Sequence, residues 1–165
     1  ALESGIPFAT GFVKNRYIGR SFIFPTQTQR ENAVSLKLNP LRAAVEGKRV
    51  ILVDDSIVRG TTCGKTVDAI RQAGAKEVHL RISSPPFVHT CYFGTDIGSE
   101  ENLIANQLTI PKIEKKTGAD TLGYISVEGL MEACKNSGLQ LCDGCFTGNY
   151  ATYVENASKD AMEGT

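Results

Sequence analysis

The feature that most constrains this chain is the stretch Arg49 to Thr62, RVILVDDSIVRGTT. Val50-Ile51-Leu52-Val53 is a continuous apolar run, the pattern of a strand buried on both faces of a parallel sheet. It stops abruptly at Asp54 and Asp55. After Ser56-Ile57-Val58 come Arg59-Gly60-Thr61-Thr62, and from there the apolar positions take helical spacing. Cys63, Val67, Ile70 and Gly74 mark one face, and Gly74 also suits a C-terminal cap. The stretch therefore predicts strand, polar loop and helix, with two carboxylates at the carboxyl end of the strand. In open α/β sheets that edge is where ligands bind.

The residue types of the loop define a chemistry. The backbone N–H groups of Arg59 to Thr62 open a helix, where unpaired donors and the dipole favour an anion. Gly60 allows close approach of the backbone, and the hydroxyls of Ser56, Thr61 and Thr62 add donors. A dianionic phosphate fits that cradle. Two adjacent aspartates would repel the same phosphate, so they suit neutral hydroxyls, a divalent cation, or both. The implied ligand is a sugar phosphate, with its phosphate on the loop and its diol and a magnesium ion on Asp54 and Asp55. An ordinary strand-to-helix turn uses Asp and Thr as caps one at a time; the complete string favours the ligand site.

The rest of the chain alternates in the same way. Ala1 to Thr10 has the character of a helix end closed by Gly5-Ile6-Pro7, and Phe8 to Val13 has strand composition. Residues 14–38 are rich in Lys, Arg, Gln and Thr with little periodicity, as in a solvated surface loop. Pro40 to Lys48 suits a short helical connection, with Gly47 ahead of the central strand. Glu77 to Ser83 predicts the next parallel strand, ended by Ser84-Pro85-Pro86. His79 alternates with apolar neighbours there and is expected to be a packed strand histidine. His89, two residues from Cys91, is less settled. Tyr92 to Ile97 predicts a further strand. Glu100 to Ala105 and Ile110 to Lys116 predict two short helices, and Leu122 to Ile125 a last strand. Ser126, with Glu128 and Gly129, starts a helix to Lys135. Alternating strands and helices imply an α/β fold, a parallel sheet with flanking helices. Residues 1–150 form the domain, and 151–165 a polar C-terminal tail whose last residues, 155–165, are expected to fray.

These 165 residues suffice for a sizeable core, and 41% hydrophobic with 22% charged residues is ordinary for a globular protein. Lys plus Arg equals Asp plus Glu at 18 each, which gives no ground for a nucleic-acid or membrane-surface partner. No apolar run reaches the ~20 residues of a membrane span, and no secretory signal opens the chain. Five cysteines in such a chain point to a reducing compartment, with a cytoplasmic location as the default.

VDDSIVRGTT resembles the phosphoribosyl pyrophosphate (PRPP) loop of type I phosphoribosyltransferases. The wording around it narrows the resemblance to the glutamine PRPP amidotransferase family. The segments are Arg49 to Thr62, Ala73 to His79, Arg81 to Pro86, Gly11 to Arg20 and Gly118 to Leu122, so the likeness runs from about residue 5 to residue 150. It implies a type I phosphoribosyltransferase fold, incomplete at the N-terminus, and a glycosyltransferase activity at the first committed step of purine synthesis. In that reaction ammonia released from glutamine replaces the pyrophosphate of PRPP, giving 5-phosphoribosylamine. The PRPP-binding residues it implies are Asp54, Asp55, Ser56, Ile57, Val58, Arg59, Gly60, Thr61 and Thr62, with magnesium on Asp54 and Asp55 and no side-chain nucleophile. Lys14, Arg16, Tyr17, Arg30 and Lys37 become candidates for a lid over the pyrophosphate. The family's Pro-Asp-Ser-Gly pyrophosphate loop and its Cys-led glutaminase domain are missing from this sequence. The chain is accordingly expected to be the carboxy-terminal part of a longer enzyme, inactive or nearly so alone, with an upstream glutaminase domain and a homo-oligomer as partners. A different type I phosphoribosyltransferase, or a non-catalytic PRPP-binding regulatory domain, are the alternatives.

Cys142-Asp143-Gly144-Cys145 has a C-x-x-C spacing that lets two thiolates reach one metal. Structural zinc, a redox dithiol and no metal are all compatible with that spacing. One branch of the family binds a [4Fe-4S] cluster. The resemblance implies Cys91, Cys142 and Cys145 as three of its ligands in the intact protein, the fourth lying upstream of Ala1. Cys63 and Cys134 are expected to be buried thiols.

Overall fold

The computed structural model describes residues 1–14, 38–95, 97, 99–150 and 152. The described elements are β1 (Phe12–Lys14), β2 (Leu38–Pro40), α1 (Arg42–Val45), β3 (Arg49–Asp54), α2 (Thr61–Gln72), β4 (Glu77–Ile82), α3 (Ile104–Gln107), α4 (Ile110–Thr117), β5 (Thr121–Tyr124), α5 (Val127–Cys134) and α6 (Gly144–Thr147). Short 3-10 turns cover Glu100–Asn102 and Lys135–Ser137. The strands, helices and their order make this a mixed α/β fold. The chain divides into two compact units, Ala1–Val50 with Lys65–Val78, and Ile51–Gly64 with His79–Thr165.

In the first unit β1 and β2 pair antiparallel, Phe12 opposite Pro40 and Lys14 opposite Leu38. Leu41 N–H donates to the Gly11 carbonyl at 2.8 Å and closes the ribbon onto α1, whose Val45 is buried. Gly74 takes φ +97 after α2, as its place at the end of the apolar stripe predicts. A Cβ there would press on the Glu46 side chain at 3.2 Å, so the left-handed turn and the close approach both call for glycine. Val67, Ile70, Ala73 and Val78 are buried and form the apolar interior of this unit. Arg49 Nε and Glu77 Oε2 pair at 2.6 Å on its surface.

The second unit holds the carboxyl ends of the strands. The sheet order is β3-β4-β5, with β4 and β5 parallel in the register His79 to Thr121 through Ile82 to Tyr124. Ile57, Cys63, Leu80, Ile82, Ile104 and Ile113 are buried together, with Leu52, Leu122 and Tyr124 packed against them. A second cluster joins Phe87, Ile97 and Leu103 with Val58, Cys91, Cys145 and Phe146. Ser126 caps α5 as predicted, its Oγ accepting from Gly129 N–H at 3.0 Å.

Several expectations are corrected. Strand β3 is not covered on both faces among the described residues: Ile51 is 41% and Val53 67% exposed, while Leu52 faces the core. A run of apolar residues selects the strand, but covering a second face needs another layer. Tyr92-Phe93-Gly94-Thr95 bends instead of forming a strand, with Phe93 to Thr95 exposed. The rings of Tyr92 and Phe93 meet Tyr150 edge-on at 5.2 and 6.2 Å. Ala1 to Gly5 forms turns rather than a helix end, with Gly5 at φ +65. Residues 100–105 break into a 3-10 turn and α3 at Leu103, whose extended backbone cannot continue a helix. Strand β2 falls at the junction where the expected basic loop, residues 14–38, gives way to the expected helical connection from Pro40. Cys134 is half-buried rather than buried, since α5 has no fully buried residue. The lid candidates Arg16, Tyr17, Arg30 and Lys37 lie outside the described residues, as do the side chain of Lys14 and the tail 155–165.

Candidate functional site

Strand β3 delivers Asp54 to the carboxyl edge of the sheet. The Asp54 carbonyl accepts Ser83 N–H at 3.0 Å and Ser83 Oγ–H at 3.3 Å, which ties the end of β3 to the end of β4. Its carboxylate accepts the Asp55 N–H at 3.0 Å, and Ser56 Oγ donates to Asp55 Oδ1 at 2.8 Å. Asp55 is exposed and Asp54 half-buried. Burial pushes the Asp54 carboxyl above its ordinary value; the bond from Asp55 N–H works against that shift and the Asp55 charge adds to it.

The loop then turns on two apolar anchors. Ile57 is 2% exposed in the first cluster and Val58 packs in the second. Those two residues, expected at the ligand, have side chains that hold the loop down. The Val58 carbonyl accepts Ile104 N–H at 2.9 Å. Gly60 takes φ +80, and a Cβ on it would sit 2.6 Å from Ile104 Cδ1. Helix α2 begins at Thr61, with Gly64 N–H bonded to the Gly60 carbonyl at 3.1 Å. Asp54 to Cys63 line one concavity of about 680 Å³, within the ~300–1,000 Å³ range of small-molecule sites. The predicted PRPP-loop residues are thus brought together around one space, with the acidic pair and the helix start both on its wall.

Near the loop lie the buried thiol expected at Cys63 and two groups that sequence reasoning missed, Tyr124 and Ser84. Burial, then the Asp54 charge, push the Cys63 thiol up to about 12. Burial and then Cys63 push the Tyr124 phenol up to about 12 as well. Tyr124 Oη and Ser84 Oγ are buried with no hydrogen-bond partner among the described residues. Ser83, Ser84 and Tyr124 end or follow β4 and β5, so the sheet-edge rule could have flagged them. Nothing local marks Ile104 as the floor beneath Gly60.

The second constellation is sulfur-rich. Cys91 and Cys145 pack against the same cluster, and Cys142 is exposed just before α6. Burial, then the nearby Cys91, push the Cys145 thiol up to about 11, with Cys142 and Asp143 adding smaller contributions. The Cys145 carbonyl accepts both Val88 N–H and His89 N–H at 3.1 Å. Among the described residues no group of three His, Cys, Asp or Glu is arranged to hold a metal ion. His89 Nδ1 pairs with Glu100 Oε1 at 2.8 Å, and His79 Nδ1 with Thr121 Oγ1 at 3.0 Å, the latter as a packed strand histidine. No helix among the described residues is long and apolar enough to cross a membrane.

Residues 3–83, which include the acidic pair and the glycine turn that opens α2, match the phosphoribosyl transferase domain family. The chain is similar to the amidophosphoribosyltransferases. It is 53% identical over 152 residues to that of Methanocaldococcus jannaschii, covering 92% of this chain and 32% of the relative. It is 49% identical over 158 residues to that of Bacillus subtilis, covering 93% and 33%. The solved structure of the glutamine PRPP amidotransferase from B. subtilis, complexed with ADP and GMP, superposes with a TM-score of 0.79 at 47% identity, covering 94% of this chain and 35% of that one. The chain spans about a third of the length of the curated relatives it matches.

Proposed function

We propose that this chain is the PRPP-gripping part of an amidophosphoribosyltransferase, with residues 1–150 as its phosphoribosyltransferase portion. The observation that carries the reading is the left-handed Gly60 packed against Ile104 and lining the same concavity as Asp54 and Asp55. The backbone N–H groups of Arg59 to Thr62 and the hydroxyls of Ser56, Thr61 and Thr62 hold the 5-phosphate, with Arg59 as a nearby charge. Asp54 and Asp55 accept from the ribose hydroxyls and ligate magnesium. Magnesium, when bound, neutralises charge on the departing pyrophosphate. Ammonia attacks carbon 1 of the ribose, the carbon–oxygen bond to pyrophosphate breaks, and 5-phosphoribosylamine and pyrophosphate result. The residues' work is to fix the sugar and exclude water, and no side-chain nucleophile is needed.

The approximately 50% identity to amidophosphoribosyltransferases favours this over another type I phosphoribosyltransferase. Lys14, Arg16, Tyr17, Arg30 and Lys37 form the lid in this reading. A glutaminase domain supplies the ammonia, the assembly is a homo-oligomer, and the location is cytoplasmic. Cys91, Cys142 and Cys145 hold three corners of a [4Fe-4S] cluster. What supports the reading is donor type: cysteine thiolates are the soft ligands such a cluster takes, Cys91 and Cys145 pack against one apolar cluster, and Cys142 lies three positions before Cys145. Calorimetric titration with PRPP and magnesium tests the grip. Saturable binding that is weakened by Asp55→Asn is expected; equal affinity in wild type and variant overturns the assignment.

A further inference from the structure

The two thiol-bearing segments are far apart in sequence, and the contact that joins them runs through one aromatic side chain. Tyr150 Oη donates to the carbonyl of Thr90 at 2.6 Å across 60 residues of chain. Thr90 immediately precedes Cys91 and is 5% exposed. On the other side of Cys91, Tyr92 meets the Tyr150 ring edge-on with centroids 5.2 Å apart. The same ring lies against Gly144, the buried residue between Cys142 and Cys145, where an added Cβ would run into it. One side chain thus touches both neighbours of Cys91 and the residue before Cys145.

We propose that Tyr150 is a positioning residue, a clasp that holds the Cys91 segment against the Cys142–Cys145 turn before any metal arrives. The proposal rests on the reading of Cys91, Cys142 and Cys145 as one metal-binding set. The phenol is not itself a ligand, because its hydrogen is committed to the Thr90 carbonyl. Its work is to fix two loops whose separate ordering would otherwise oppose metal binding. The backbone completes the clasp from behind. Val88 and His89 donate to the Cys145 carbonyl, and the Phe87 and Phe146 rings meet at a tilt of 40° with centroids 4.9 Å apart. Gly144 follows from the same geometry: it is the position that leaves room for the ring.

The test uses the chain reduced and without oxygen, with Cd(II) alone as the probe and thiolate-to-metal ultraviolet absorption as the signal. Cys91→Ser and Cys145→Ser define which part of the signal belongs to the set. Tyr150→Phe, which keeps the ring and loses the hydrogen bond, is expected to weaken Cd(II) binding by about tenfold. Maleimide labelling of the metal-free chain, read cysteine by cysteine in a mass spectrometer, is expected to accelerate at Cys91 and Cys145 in Tyr150→Phe and more so in Tyr150→Leu. Labelling of Cys63 and the circular dichroism should stay at wild-type values in Tyr150→Phe. Wild-type labelling rates at Cys91 and Cys145 in both variants would overturn the clasp. A wild-type Cd(II) signal indifferent to both serine variants would instead overturn the metal reading, while accelerated labelling would still support the clasp.

Discussion

Replacing Gly60 with alanine tests the loop at its tightest point. The residue sits at φ +80, where an L side chain costs about 1–2 kcal/mol. Its new Cβ would lie 2.6 Å from Ile104 Cδ1, and Ile104 is 1% exposed, so the methyl can move aside only by displacing packed neighbours. Overpacking of that kind costs about 1–3 kcal/mol. Together the two effects predict a loss of roughly 2–5 kcal/mol in Gly60→Ala. Removing the offending methyl with Ile104→Val costs about 0.5–1.5 kcal/mol alone. In the double variant the packing conflict disappears while the backbone strain remains. The pair should therefore be more stable than the sum of the single effects by about 1 kcal/mol or more. Urea unfolding of the four chains measures this directly, and calorimetry with ribose 5-phosphate reports whether the anion cradle survives. Additivity within about 0.5 kcal/mol would refute the claim that Ile104 is the floor of the loop.

The acidic pair gives two further expectations. Asp55→Asn keeps an acceptor for Ser56 and alters an exposed group, so its stability should change by less than about 0.5 kcal/mol. Its affinity for PRPP with magnesium should fall by about tenfold or more, as titration calorimetry would show. Asp54, whose carboxyl is raised by burial, holds its proton more tightly folded than unfolded. Its ionisation therefore lowers stability as pH rises from the ordinary carboxylate value through the raised one. Asp54→Asn should accordingly gain on wild type between pH 3 and pH 7, and unfolding curves in which the difference is flat or reversed would count against it. Cys63, buried with its thiol pushed up to about 12, should resist maleimide at pH 7 while exposed Cys142 reacts first; the order of labelling is read by mass spectrometry.

The elements that were legible in the sequence are those written in consecutive residues. The run Val50 to Val53, the stop at Asp54 and the spacing of Cys63, Val67 and Ile70 encode strand, loop and helix through dihedral preference and periodicity. The structure places β3 and α2 where those patterns put them. Ser126 and Gly129 encode a cap the same way. Tyr92 to Ile97 misled because aromatic and β-branched residues suit a strand only when a neighbouring strand is present. Here Tyr150 takes up the rings instead. The β2 strand was invisible because three residues, Leu38 to Pro40, carry no period.

By itself the sequence determined that an acidic pair and a glycine turn stand side by side at the end of a buried-type strand, since that placement needs only local backbone geometry. Tertiary packing alone decided that Ile104 supports Gly60, that β3 is covered on a single face among the described residues, and that Tyr150 joins the Cys91 segment to the Cys142–Cys145 turn. Those pairings link residues with no local relation. They exist only because burial of the two apolar clusters, with Leu103 in one and Ile104 in the other, pulls distant segments onto the same core.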